Sequence, residues 1–181
     1  DDFQHSSLSL VAADTSPKLQ DGWVLTFTEV GAGGQLAAPI DGAQGGQLLL
    51  TTAGNDNDGI NIQAAGEAFS FASAWPCYFG IRFKVSEATQ SDFVAGLHFR
   101  DTSLVAAGDT GAFFRKADGS TNISIVLEKD TVETTAVVGT CADDTWMTLE
   151  LVFDGAAVDF YFNGTKQTRL AQTNLPNDEW L

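Results

Sequence analysis

Apolar and polar residues alternate most cleanly over residues 143–165. Met147, Leu149, Leu151 and Phe153 point one way and Thr148 and Glu150 the other. After Asp154-Gly155, the residues Val158, Phe160 and Phe162 alternate with Asp159 and Tyr161, and Asn163-Gly164 closes the unit. A period of two places side chains on opposite faces of a strand, and Asp-Gly and Asn-Gly supply the positive φ angles of tight hairpins. The stretch predicts a pair of antiparallel strands with one apolar face. Residues 77–85 read as a central strand, with Cys77, Phe79, Ile81, Phe83 and Val85 inward and Arg82 and Lys84 outward. The predicted buried set is Phe79, Ile81, Phe83, Leu149, Leu151, Phe153, Phe160 and Phe162.

The same pattern predicts strands at residues 23–30 (Trp23, Leu25 and Phe27 on one face), 47–52, from Ile60 and Ile62 onward, 67–71, 92–100, 112–116, 122–127 and 131–138. Residues 1–4 and 8–11 read as an opening strand and its continuation, and 167–170 as a short edge. Residues 31–46, with six glycines and a proline, read as a long loop, as do residues 101–111. Residues 86–91 read as one helical turn. In all there are about thirteen short strands with turn signals every 8–12 residues, the pattern of an all-β antiparallel sandwich. At 181 residues the chain reads as a single domain, 1–181, able to bury a two-sheet core without staples.

Trp146 opens a strand of alternating apolar positions that ends in Asp154-Gly155, and the next strand ends in Tyr161-Phe162-Asn163-Gly164. This resembles the penultimate hairpin of laminin-G-like and concanavalin-A-like lectin/glucanase domains, which are curved antiparallel jelly-roll sandwiches. The chain is also similar to phage virion proteins that use this sandwich, through Asp1-Asp2-Phe3, Gly45-Gly46-Gln47-Leu48-Leu49-Leu50, Asn57-Asp58, residues 79–84 and residues 93–97. The resemblance implies a two-sheet jelly roll of the concanavalin-A-like/laminin-G-like kind. Related phage proteins continue past a Leu-Pro-x-Asp pattern, here Leu175-Pro176-Asn177-Asp178, into closing strands. An unpaired edge is therefore expected, with Phe3 and residues 8–11 available to pair. The start at Asp1, without Met, carries the matching expectation of a missing preceding segment.

The acidic balance narrows the partners. With 24 acidic residues against 9 basic, a net charge of −15, the chain lacks the basic footprint of a nucleic-acid binder and would be repelled by an anionic membrane. No apolar run approaches the ~18–20 residues of a membrane span. Cys77 and Cys141 are the two cysteines; Cys77 shares a face with Phe79, Ile81 and Phe83, so a buried free thiol is favoured over a disulfide.

Several constellations invite chemistry. Residues 128–133 match E-x-D-x-x-E, which in laminarinase-type hydrolases of the resembled fold carries nucleophile and acid/base on one strand. Those enzymes place apolar residues between the carboxylates, and retention needs the two carboxyls ~5–5.5 Å apart across the sugar. Lys129 and Thr131 stand there instead, and Lys129-Asp130 reads as a hairpin turn, so Glu128 and Glu133 are expected around an exposed tip and no catalytic residue is assigned. Residues 54–59, GNDNDG, read as a turn and not a calcium loop, since an EF-hand glutamate would be needed where Ala65 stands. His5 and His98 cannot make a zinc site alone, and His98 is read as a surface or inter-sheet histidine. The sequons at Asn122 and Asn163 are expected unused in a bacterial or phage setting. No metal or cofactor is assigned.

Of the large aromatics, Trp23 and Trp146 are expected to fill the core, while Trp75, Tyr78 and Trp180 are the candidates for stacking on sugar. The expectation is a non-enzymatic virion-surface protein, a capsid decoration module that adheres to capsid or other virion proteins and to sister copies as a homo-oligomer. The alternatives are a carbohydrate-binding receptor or tail domain, with a glycan as partner, and a glycoside hydrolase built on Glu128 and Glu133.

Overall fold

The structure, a computed structural model, describes residues 10–11, 18–19, 23–28, 34–40, 43, 45–55, 57–72, 75–99, 110–178 and 180–181. The opening strand at residues 1–4, His5 and the loop 101–109 lie outside them. The chain divides into two compact units, Asp1–Gly66 and Glu67–Leu181.

The first unit holds β1 (Leu10–Val11), β2 (Lys18–Leu19), β3 (Trp23–Thr28), β4 (Leu36–Pro39), β5 (Leu48–Thr51) and β6 (Gly59–Ala64), all paired antiparallel in two three-stranded sheets, β1-β4-β5 and β2-β3-β6. Leu25 and Ala37 are buried, with Trp23, Phe27, Ile60 and Ile62 packed against them. The expected loop at 31–46 therefore contains a strand, β4, which ends at Pro39. Of residues 8–11, expected free to pair, Leu10 and Val11 form β1, where Leu10 faces Ala37, and residues 8–9 lie outside the described ones.

The second unit holds β7 (Cys77–Phe83), β8 (Phe93–His98), β9 (Gly111–Lys116), β10 (Asn122–Lys129), β11 (Val132–Thr140), β12 (Met147–Phe153), β13 (Ala157–Phe162), β14 (Thr165–Lys166) and β15 (Leu170–Ala171), then a 3-10 turn at Gln172–Asn174. Strands β8 to β11 form an up-and-down sheet; β14-β13-β12-β7 form a second, with β15 also on β13. The two apolar faces enclose one core. Ile123, Ile125, Leu127 and Phe114 supply one side, Leu149, Leu151, Phe153, Val158 and Phe160 the other, all fully buried. Phe114 meets Phe160 edge-on at 5.6 Å, and Phe71 meets Phe153 at 5.3 Å. The hairpin β12–β13 forms as its alternation predicts, Leu149 opposite Phe162 and Leu151 opposite Phe160. Asn163 and Gly164 both adopt positive φ at its far end, and Asp154 accepts the Ala156 and Ala157 amides at the near one.

Four expectations are corrected. Ile81 is 36% exposed and not buried, and Phe79 and Phe83 are half-buried, because among the described residues β7 ends its sheet with β12 as its strand neighbour. Phe162 is also half-buried, its ring lying against Gly139, where a Cβ would come within 2.7 Å. Trp146 is not core but 39% exposed, with the Arg82 guanidinium 4.7 Å over its ring. The β10–β11 turn is Asp130-Thr131, one residue later than expected, both at positive φ. The turn at 86–91 does form, closed by Ser91 N–H donating to Glu87 O at 3.2 Å. It is held by the buried Lys116, whose ammonium donates to the carbonyls of Thr89, Ser91 and Ala117. Cys77 and Cys141 are free; burial pushes the Cys77 thiol up to about 11.

Leu151→Ala removes a fully buried side chain from the middle of this core and is expected to cost about 2–5 kcal/mol in urea denaturation. Ile81→Ala, at the open strand, should cost under about 1.5 kcal/mol. Equal losses at the two positions would contradict the asymmetry between β12 and β7.

Candidate functional site

Two of the three aromatic candidates meet. Trp75 stands just before β7, its N–H donating to Ala72 O at 2.9 Å. Trp180 is brought to it by the tail. Leu181 N–H donates to Phe69 O at 2.8 Å, and Leu181 O accepts from the Ala68 and Phe69 amides at 2.8 and 3.1 Å. Residues 67–71, expected as a strand, form none among the described residues; only Ala68 and Phe69 make backbone bonds to Leu181. The two indoles meet edge-to-face at 5.1 Å and 74°, and stay 53% and 47% exposed. With Ser70, Ala72, Asn177 and Asp178 they line an open recess of about 300 Å³.

The polar wall of this recess is fixed from β10. Lys129 donates to Asp178 Oδ1 at 2.6 Å and to Asn177 Oδ1 at 3.3 Å. The hydrogen bond from Lys129 holds the Asp178 carboxyl below its ordinary value. Two aromatic surfaces beside a hydroxyl, a carboxamide and an oriented carboxylate suit a ligand with an apolar C–H face and a hydroxylated rim. Tyr78 is not part of this recess wall; it lies on the outer face of β7, its hydroxyl donating to Glu150 Oε1 at 2.9 Å.

The acidic pair departs from expectation. Glu128 is 1% exposed and faces Glu133 directly across the hairpin. The turn at Asp130-Thr131 sets this register, and a slip of one residue would put different side chains opposite each other. Arg115 on β9 grips Glu133 with both guanidinium nitrogens at 2.7 Å. Burial, the Glu133 charge and a hydrogen bond to it raise the Glu128 pKa, while the Arg115 bond holds Glu133 down. Glu128 Oε2 is buried with no hydrogen-bond partner, which also disfavours the charged form of this carboxyl. These carboxyls face each other on adjacent strands, one buried and the other held by Arg115. His98, half-buried on β8, stacks edge-on against Phe113 at 5.6 Å.

Comparison with models of known families, with curated proteins and with solved structures finds no match to this chain.

Sequence reasoning found both indoles of the recess but missed Lys129, Ser70 and Asn177 as its frame. Nothing local marks them: the contact joins a strand end to a tail segment far along the chain.

Two outcomes follow from these ion pairs. A glutamate whose folded pKa is raised keeps its proton while the unfolded chain releases one, so stability falls as pH climbs from the ordinary value of 4.5 to the raised folded value. Glu128→Gln keeps a donor to Glu133 and removes that loss, so its melting temperature relative to wild type should rise with pH across that window. A pH-independent difference in thermal melts would contradict the raised Glu128 pKa. Lys129→Met should free the tail, moving tryptophan emission to longer wavelength and increasing acrylamide quenching; unchanged emission would mean that the clamp does not hold Trp180.

Proposed function

We propose that this chain is a non-enzymatic adhesive module displayed on a phage-like virion, and that carbohydrate is the ligand of the Trp75–Trp180 recess. The observation that carries the reading is the pair of half-exposed indoles around a polar, pre-oriented cleft. Large aromatic surface left in water is costly unless a partner covers it, and the recess offers the mixed apolar and hydrogen-bonding lining that sugars require. The jelly-roll, concanavalin-A-like identity belongs to the same proposal. Its support is the nesting of strands in the second unit, where β7 pairs with β12 across the whole β8–β11 meander. The reading as a binder and not a hydrolase is favoured by the carboxyl pair: Glu128 is buried and Glu133 is engaged by both guanidinium nitrogens of Arg115, whereas a retaining hydrolase needs two carboxyls open to the sugar between them.

A second reading, capsid decoration through protein contacts and self-association, is favoured by Val132 and Val137. Both are more than half exposed, on β11, the end strand of its sheet.

The test is tryptophan fluorescence titration with neutral oligosaccharides alongside light scattering. Binding that shifts indole emission and falls at least ten-fold in Trp180→Ala supports the recess. An oligomer that adheres to shells and binds no glycan moves the function to the β11 edge.

A further inference from the structure

The outer face of β7 and β12 carries a second aromatic surface of a different shape. Tyr78 is 58% exposed, yet its ring does not stand away from the sheet. A Cβ placed on Gly80 would come within 2.8 Å of Tyr78 Cζ, so the ring lies down over residue 80, and glycine is what makes room for it. Gly80 faces Glu150 in the β7–β12 register, and the Tyr78 hydroxyl is pinned there by its 2.9 Å bond to Glu150 Oε1. Glu150 in turn faces Tyr161 on β13. One step along the strands, Arg82 faces Thr148, with its guanidinium over Trp146. The face thus presents an exposed ring parallel to the sheet, flanked by a carboxylate that accepts and a guanidinium that donates.

We propose that this face is a second glycan-contacting surface, a flat platform on which Tyr78 stacks against an uncharged polysaccharide chain lying across β7 and β12. A ring held flat matches the C–H face of a pyranoside, and its hydroxyl contact with Glu150 removes the freedom it would otherwise lose on binding. Glu150 and Arg82 reach hydroxyls on either side of the stacked unit, giving both hydrogen-bond senses. A neutral polymer suits the face because Glu150 and Arg82 set one charge of each sign on it, and the net charge of −15 repels uronate and sulfated polymers. The platform is open at both ends, so it suits an internal stretch of a long chain, whereas the recess suits a short or terminal piece.

This inference rests on the reading of the chain as a carbohydrate binder, and the experiment separates the two. Affinity electrophoresis would use gels cast with dextran, a mixed-linkage β-glucan or a galactomannan, with alginate as the polyanion. At least one neutral polymer should retard the wild type. Tyr78→Ala should lower that retardation at least five-fold, and alginate should not retard. Gly80→Ala, which keeps the ring but displaces it, should reproduce the loss with an unaltered thermal melt. Trisaccharides of glucose and mannose, read by tryptophan fluorescence, should bind Tyr78→Ala as they bind wild type. Undiminished retardation of Tyr78→Ala and Gly80→Ala overturns the platform while leaving the recess standing. Retardation by alginate alone, or by no neutral polymer, also overturns it.

Discussion

The second unit depends on covering one apolar face. Leu149, Leu151, Phe153 and Phe160 project from the β12–β13 hairpin to the same side and are fully buried. A lone hairpin with that face in water would be unstable, and each such side chain gains ~1.5–3 kcal/mol when removed from solvent. The cover is the opposite face of β10 and its neighbours, where Ile123, Ile125, Leu127 and Phe114 alternate with outward residues. Everything else in the unit follows from keeping these faces together. Phe71 packs edge-on from the segment before β7, and the tail returns with Leu175 and Leu181 buried. That return delivers Trp180 to Trp75, so the candidate recess is a by-product of closing the core.

Where the face is half-covered, chemistry-bearing groups accumulate. Among the described residues β7 has one strand neighbour, and its outer side carries Tyr78 and Arg82 beside Glu150 and Trp146. At the opposite sheet charge is tolerated where it is compensated. Burial and the Glu133 charge raise the Glu128 pKa, and Glu133 is compensated by Arg115 in a fork geometry that adds two charge-assisted bonds. Lys116 follows the same logic with carbonyl groups: burial pulls its pKa down, and backbone acceptors satisfy its hydrogens.

The parts of this fold that were legible in the sequence are those governed by local period and turn chemistry. The β12–β13 hairpin, with Asp154-Gly155 and Asn163-Gly164, is one, since alternation and positive-φ residues are local properties. The misplaced features depend on partners. Ile81 alternates perfectly with its neighbours, but alternation does not say whether a strand is central or last in its sheet. Trp146 looks like core by size and position, and only the three-dimensional neighbours show it lying under Arg82. The β10–β11 turn was misplaced because Thr131 is β-branched and adopts positive φ reluctantly. The Trp75 and Trp180 candidates were legible as aromatics beside turns, while their meeting depends on Leu181 pairing with Phe69.

The pairing of β7 with β12 also governs timing. Phe79 and Ile81 must find Leu151 and Leu149 across the intervening β8–β11 meander. A chain made from its N-terminus therefore emerges with β7 waiting, while four strands of the other sheet are completed first. The β8–β11 meander joins neighbours in sequence and is free to assemble early, presenting Ile123, Ile125 and Leu127 to water until the last hairpin arrives. The vulnerable interval is thus the one before β12 and β13 emerge, when one finished sheet holds an uncovered apolar face. The acidic excess of the sequence would then act between nascent chains, keeping those faces from meeting each other before their own hairpin reaches them.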